Sequence, residues 1–125
     1  RGEPLPVHGD GTQSRDFTYV STVVEVITDA LRRRVDYPKP VNLAFGTNVS
    51  LLEVIDHLEG ILGRPLHREH LPSRVGDVLR SQADSSTLLE LFPDVRPTPL
   101  IEGLKATVRW FEATRPWQRL PSSAS

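Results

Sequence analysis

Gly9-Asp10-Gly11-Thr12-Gln13-Ser14-Arg15-Asp16-Phe17-Thr18-Tyr19-Val20 is the stretch on which the fold turns. Its first residues, Gly9-Asp10-Gly11, read as a turn. Phe17 to Val20 is β-rich and carries Arg15 on its shoulder. Upstream, Pro4 to Val7 reads as a short extended run that ends in this turn. Downstream, a helix is expected from Ser21 or Thr22, with Val23, Val24, Ile27, Ala30 and Leu31 at helical spacing. Thr22 and Glu25 offer it a capping box. Arg32, Arg33 and Arg34 fall at its C-terminal end, where the helix dipole favours positive charge. That is reason enough for the run, and no interleaved aromatics accompany it, so no nucleic-acid surface is expected there.

The pattern continues outward. Pro38 and Pro40 punctuate the chain, and Val41 to Phe45 reads as a buried strand followed by a Gly46-Thr47-Asn48 turn. Ser50-Leu51-Leu52-Glu53 is a capping box. It opens a helix with Leu51, Ile55, Leu58 and Leu62 on one face, closed by Gly63 with Pro65 beyond. A strand is expected from Leu66 through Leu71, then a short helix after Asp84 carrying Leu88, Leu89 and Phe92. Thr98-Pro99 starts a last helix, with proline at the first helical position and Leu100, Leu104, Val108 and Phe111 aligned. The fold class is therefore α/β, with too few strands for a complete doubly wound sheet. Residues 1–115 form the folded portion, and 116–125 read as a polar, frayed tail.

Composition narrows the function. A chain of 125 residues fits one domain or part of one. A net charge of -1 gives no pull towards nucleic acid or an acidic membrane. The absence of cysteine excludes disulfides, thiolate catalysis and Cys-based zinc sites, and suits a cytoplasmic location. No apolar run approaches the ~18 residues of a membrane span, and no signal peptide is visible. The opening Arg1-Gly2-Glu3-Pro4 reads as a helix exit entering a strand rather than a natural start.

Two arginines stand in loops that suit phosphate. Arg15 follows the glycine turn, and a guanidinium held on a strand shoulder can fork onto a diphosphate. A salt bridge to Asp10 or Asp16 is the structural alternative. Arg74-Val75-Gly76-Asp77 adds a second arginine, with a glycine that lets arginine and carboxylate face one ligand. His67 and His70 flank Glu69, but positions three apart on a strand point to opposite faces, so no metal site is expected. Trp110 and Trp117 read as packing groups.

The string Gly-Asp-Gly-x-Gln-x-Arg-Asp-Phe-x-Tyr-Val, followed in order by Arg74-Val75-Gly76-Asp77, Ser81-Gln82-Ala83-Asp84 and Val108-Arg109-Trp110-Phe111, resembles the NAD-dependent epimerase/dehydratase family, the extended short-chain dehydrogenases. The resemblance covers nearly the whole chain and points to the C-terminal, nucleotide-sugar-binding part of a UDP-sugar 4-epimerase of the UDP-glucose or UDP-glucuronate type; the alternatives are a nucleotide-sugar 4,6-dehydratase fragment and a stand-alone, non-catalytic nucleotide-binding module. It implies that Arg15 and Arg74 contact the diphosphate, that Asp77 meets ribose hydroxyls, that Pro6 and His8 line the base pocket, and that Leu51 packs on the nucleotide. It also implies NAD bound by an N-terminal part of the same enzyme, with no catalytic residue on this chain, and a homodimer at full length. No Gly-x-x-Gly-x-x-Gly loop is present, and neither tyrosine starts a Tyr-x-x-x-Lys pair: Tyr19 is followed four positions on by Val23, and Tyr37 by Val41. Asp77 stands where the family's dTDP-glucose dehydratases tend to place histidine, which favours the UDP-sugar epimerases. Thr22 departs from the family's common aspartate, which puts local hydrogen bonding, but not the fold, in question.

Overall fold

A computed structural model describes residues 2–76 and 83–118. Strand β1 spans Leu5–His8, β2 Ser14–Arg15, β3 Val49–Ser50 and β4 Arg68–Leu71. Helix α1 spans Val20–Arg33, α2 Leu51–Leu62, α3 Ser86–Leu91 and α4 Leu100–Thr114, with a 3-10 turn at Pro116–Gln118. The strands pair in two small ladders. β1 and β4 are parallel, with Leu5 opposite Arg68 and His8 opposite Leu71. β2 and β3 are antiparallel, Ser14 opposite Ser50 and Arg15 opposite Val49.

Local signals predict α2 well. Ser50 caps it, its hydroxyl accepting from the Glu53 amide while the Glu53 carboxylate accepts from the Ser50 amide. Gly63 ends it in the left-handed region. The buried face is Val54 and Ile55, with Leu51 and Leu58 only half-covered. α4 begins one residue later than expected, with Pro99 as its cap.

Three expectations are corrected. Phe17 to Val20 is not a strand: β2 stops at Arg15, residues 16–19 pair with no strand among the described residues, and α1 begins at Val20. Tyr19 packs there against Gly103 of α4, where a β-carbon would lie 3.1 Å from its ring. Val41 to Phe45 is not a strand either, because no neighbouring strand among the described residues pairs with it. Its alternation is real, since Val41, Leu43 and Phe45 pack on the core of Val26, Leu88, Phe92 and Val95. Thr22 does not cap α1. Tyr19 holds that position without a side-chain bond, and Thr22 lies inside the first turn, 1% exposed, accepting from the Thr98 amide at 3.0 Å.

Helix α1 is apolar on two sides. Val26 and Ala30 face the core, while Val20, Val24, Ile27 and Leu31 stay exposed, Leu31 at 75%. Spacings of four, three and four place these four on one stripe of the helix. Arg33 is more than a charge at a helix end. It pairs with Asp29, donates to the Leu91 carbonyl at 2.8 Å and lies over the Phe92 ring. Among the described residues no helix is long and apolar enough to cross a membrane.

Candidate functional site

The two arginine loops leave the carboxyl ends of one parallel strand pair. β1 ends at His8 and opens into Gly9–Gln13, while β4 ends at Leu71 and opens into the segment carrying Arg74. Parallel strands present their ligands at that end, where consecutive loops diverge.

The first loop is built tightly. Asp10 accepts from the Thr12 amide at 3.0 Å and the Thr12 hydroxyl at 2.7 Å. Those two bonds hold its carboxyl below the ordinary aspartate range. Gly11 has a φ of +82°, and a β-carbon there would sit 2.7 Å from Leu52 Cδ2, so any other residue would be strained and would push on Leu52. The Gln13 side chain donates to the His8 carbonyl at 3.0 Å. The first amides of α2 are spent on this loop and its cap: Leu51 donates to Gln13, Leu52 to Gly11 and Glu53 to the Ser50 hydroxyl. A helix N-terminus usually offers such amides to an anion. Here they are taken, so an anion at this corner would be left to side chains.

Arg15 is half-buried on β2, and its Nη1 donates to the Ser14 carbonyl at 2.8 Å. The carboxylate beside it serves another segment. Asp16 accepts from the amides of Phe45 and Gly46, at 3.0 and 2.7 Å, and from the Thr47 hydroxyl at 2.9 Å. This clamp extends the short β2–β3 ladder and was missed in the sequence, where Asp16 stood only as a partner for Arg15. The signal available was the Gly46-Thr47 turn, whose amides need acceptors.

The corner thus joins His8, Arg15 and Leu51 through backbone and Gln13 contacts. Pro6 lies exposed on β1 in register with Glu69. Arg74 is exposed beyond β4, and its loop meets the first through the Gly9 amide, which donates to the Leu71 carbonyl at 2.9 Å. Asp77 lies outside the described residues, as do Ser81 and Gln82. Two clefts open here. One of about 330 Å³ is lined by Thr12, Ser14, Asn48, Ser50 and Glu53. The other, shallow and about 600 Å³, is lined by Gly9, Asp10, His70, Leu71, Pro72 and Ser73. Gly9 and Gly11 are backed by Ser73 and Leu52, so neither leaves an open backbone cradle for a dinucleotide.

Known proteins share this fold. The NAD dependent epimerase/dehydratase family matches residues 1–44. A UDP-glucuronate 4-epimerase of Thermodesulfobacterium geofontis is 36% identical over 86% of this chain and 33% of its own length. A dTDP-4-dehydro-6-deoxy-D-allose reductase of a Streptomyces species is 34% identical over 88% of this chain and 33% of its own. The crystal structure of UDP-glucuronic acid 4-epimerase from Bacillus cereus, in complex with UDP-glucuronic acid and NAD, superposes with a TM-score of 0.80 at 31% identity, covering 90% of this chain and 36% of that one. The chain spans about a third of the length of the curated relatives it matches. With its signature loops, its fold and its relatives in agreement, the chain belongs to the NAD-dependent epimerase/dehydratase family.

Proposed function

We propose that this chain is the C-terminal, nucleotide-sugar-holding part of an NAD-dependent UDP-sugar 4-epimerase acting on UDP-glucose or UDP-glucuronate. The observation that carries the reading is the exit of both arginine loops from the carboxyl ends of the β1–β4 pair, bonded to each other at Gly9 and Leu71. With the α2 amides spent, Arg15 and Arg74 are the groups that meet the diphosphate. Asp77 takes ribose hydroxyls, Pro6 and His8 border the base, and Leu51 packs on the nucleotide. NAD, and the hydride chemistry at C4 of the sugar, belong to an N-terminal part, since the sequence carries no Gly-x-x-Gly-x-x-Gly loop. This chain contributes position. Nucleotide binding remote from C4 holds UDP still while the sugar presents one face and then the other. At full length a homodimer is expected.

Titration calorimetry of UDP tests the reading. Each of Arg15→Ala and Arg74→Ala removes charge-assisted bonds worth about 1.5–3 kcal/mol, so affinity falls roughly ten- to a hundredfold. The double variant is not simply additive. Arg64→Ala, exposed past the far end of α2, is the control. Arginine variants that bind UDP as tightly as Arg64→Ala would make both loops merely structural. The Streptomyces reductase keeps a second reading open, a dTDP-sugar enzyme. Parallel titration with dTDP separates them, UDP binding more tightly if the epimerase reading holds.

A further inference from the structure

The loops leaving the parallel pair are crossed by two histidines running in opposite directions. His8, the last residue of β1, reaches the Pro72 carbonyl with Nδ1 at 3.2 Å. His70, on β4, reaches the Gly9 carbonyl with Nδ1 at 2.9 Å. A carbonyl oxygen only accepts, so both rings carry their proton on Nδ1 and donate it. Each histidine stands on one strand and ends on the loop that leaves the other. Gly9 is where the contacts converge. Its amide donates to Leu71, its carbonyl receives His70, and a β-carbon there would lie 3.0 Å from the Ser73 hydroxyl.

We infer that His8 and His70 form a reciprocal strap that fixes the Arg15 loop against the Arg74 loop, so that both guanidinium groups meet one nucleoside diphosphate in a single preset geometry. His70 is a positioning residue that acts through the arginines, His8 holds its loop as well as bordering the base, and the inference rests on the diphosphate reading above. Strand pairing alone ends at His8 and Leu71, and the arginines lie further along the chain. Loops left free to move would have to be ordered at each binding event, which weakens binding without removing a contact. The strap does that ordering in advance.

The test has two arms, both on the 125-residue chain. In the first, amide exchange is followed in wild type, His70→Ala and His70→Asn, since an asparagine amide can donate where Nδ1 did. The Gly9 amide exchanges faster in His70→Ala and recovers in His70→Asn, while Val26 in α1 is unchanged. Unaltered exchange at Gly9 in a folded His70→Ala overturns the strap. If His70→Ala does not fold, His8→Ala read at the same amide takes its place. In the second arm, UDP titrations of Arg15→Ala, Arg74→Ala and the double variant are run in wild type and in the strap variant. His70→Ala alone weakens UDP roughly three- to tenfold, the loss of about one hydrogen bond. The non-additivity between the two arginines shrinks in His70→Ala and returns in His70→Asn, a result that simple loss of stability does not give. Non-additivity that persists in folded His70→Ala overturns the positioning role and leaves the diphosphate reading intact. Arginine variants that bind UDP like wild type overturn that reading and the positioning role with it, whatever the exchange arm shows.

Discussion

Thr22 shows how one hydroxyl ties two distant elements. It is buried in the first turn of α1, accepts from the Thr98 amide and shares a hydrogen bond with the Thr98 hydroxyl at 3.1 Å. Thr98 in turn precedes α4, so the bond sets the start of one helix against the start of the other. Thr22→Val keeps the shape and removes the acceptor, leaving an amide without its partner. Urea unfolding should show a loss of roughly 1–3 kcal/mol, with Thr22→Ser close to wild type. A neutral Thr22→Val would mean the Thr98 amide finds another acceptor. The sequence suggested a cap at this residue because serine and threonine before an apolar run usually cap. The pairing with Thr98 is set by tertiary packing, which no local pattern encodes. The partners of Asp16, His8 and His70 escaped notice for the same reason, since they lie far along the chain.

At the scale of an element, α2 holds together by a local code. Its capping box, its Gly63 stop and its boundaries were legible because every partner lies within a few residues. Ser50→Ala should cost about 1 kcal/mol. Bonds from the Ser50 amide, and then its hydroxyl, hold the Glu53 carboxyl below the ordinary glutamate range. A carboxyl whose pKa is lower folded than unfolded stabilises fully above its unfolded pKa, and loses that contribution as pH falls through the folded one. The gap in stability between wild type and Glu53→Gln should therefore be widest near neutral pH and close in acid. Equilibrium unfolding across that range checks it, and a gap independent of pH would assign the cap to Ser50 alone. The apolar face of α1 was less legible. Its sequence carries two apolar stripes, and spacing alone does not say which one packs on α3.

For the whole molecule, the α/β class and the order of helices could be read, but sheet membership could not. Val41 to Phe45 has a strand's alternation because its side chains pack on the core, yet its backbone has no neighbouring strand among the described residues. Alternation reports burial and leaves pairing unspecified. Hydrogen exchange on this chain should show weak protection at 41–45, apart from Phe45, whose amide is held by Asp16. Protection across 41–44 equal to that of α2 would contradict the unpaired description. The exposed stripe of Val20, Val24, Ile27 and Leu31 is the same fact seen from the helix, an apolar surface left in water.

The spent amides at the start of α2 have one more consequence, and it concerns ionic strength. Backbone dipoles buried around an anion are poorly screened, whereas guanidinium groups near the surface are reached by counterions. Arg74 is exposed and Arg15 half-buried, so the proposed diphosphate would be held mainly by screenable charge. Raising salt from about 0.01 M to 0.1 M shortens the Debye length from roughly 30 Å to 10 Å. The Kd for UDP should rise across that range, while the Kd for uridine, which lacks the phosphates, should stay flat. Equal salt dependence for the two ligands would mean that the arginines are not what holds the diphosphate.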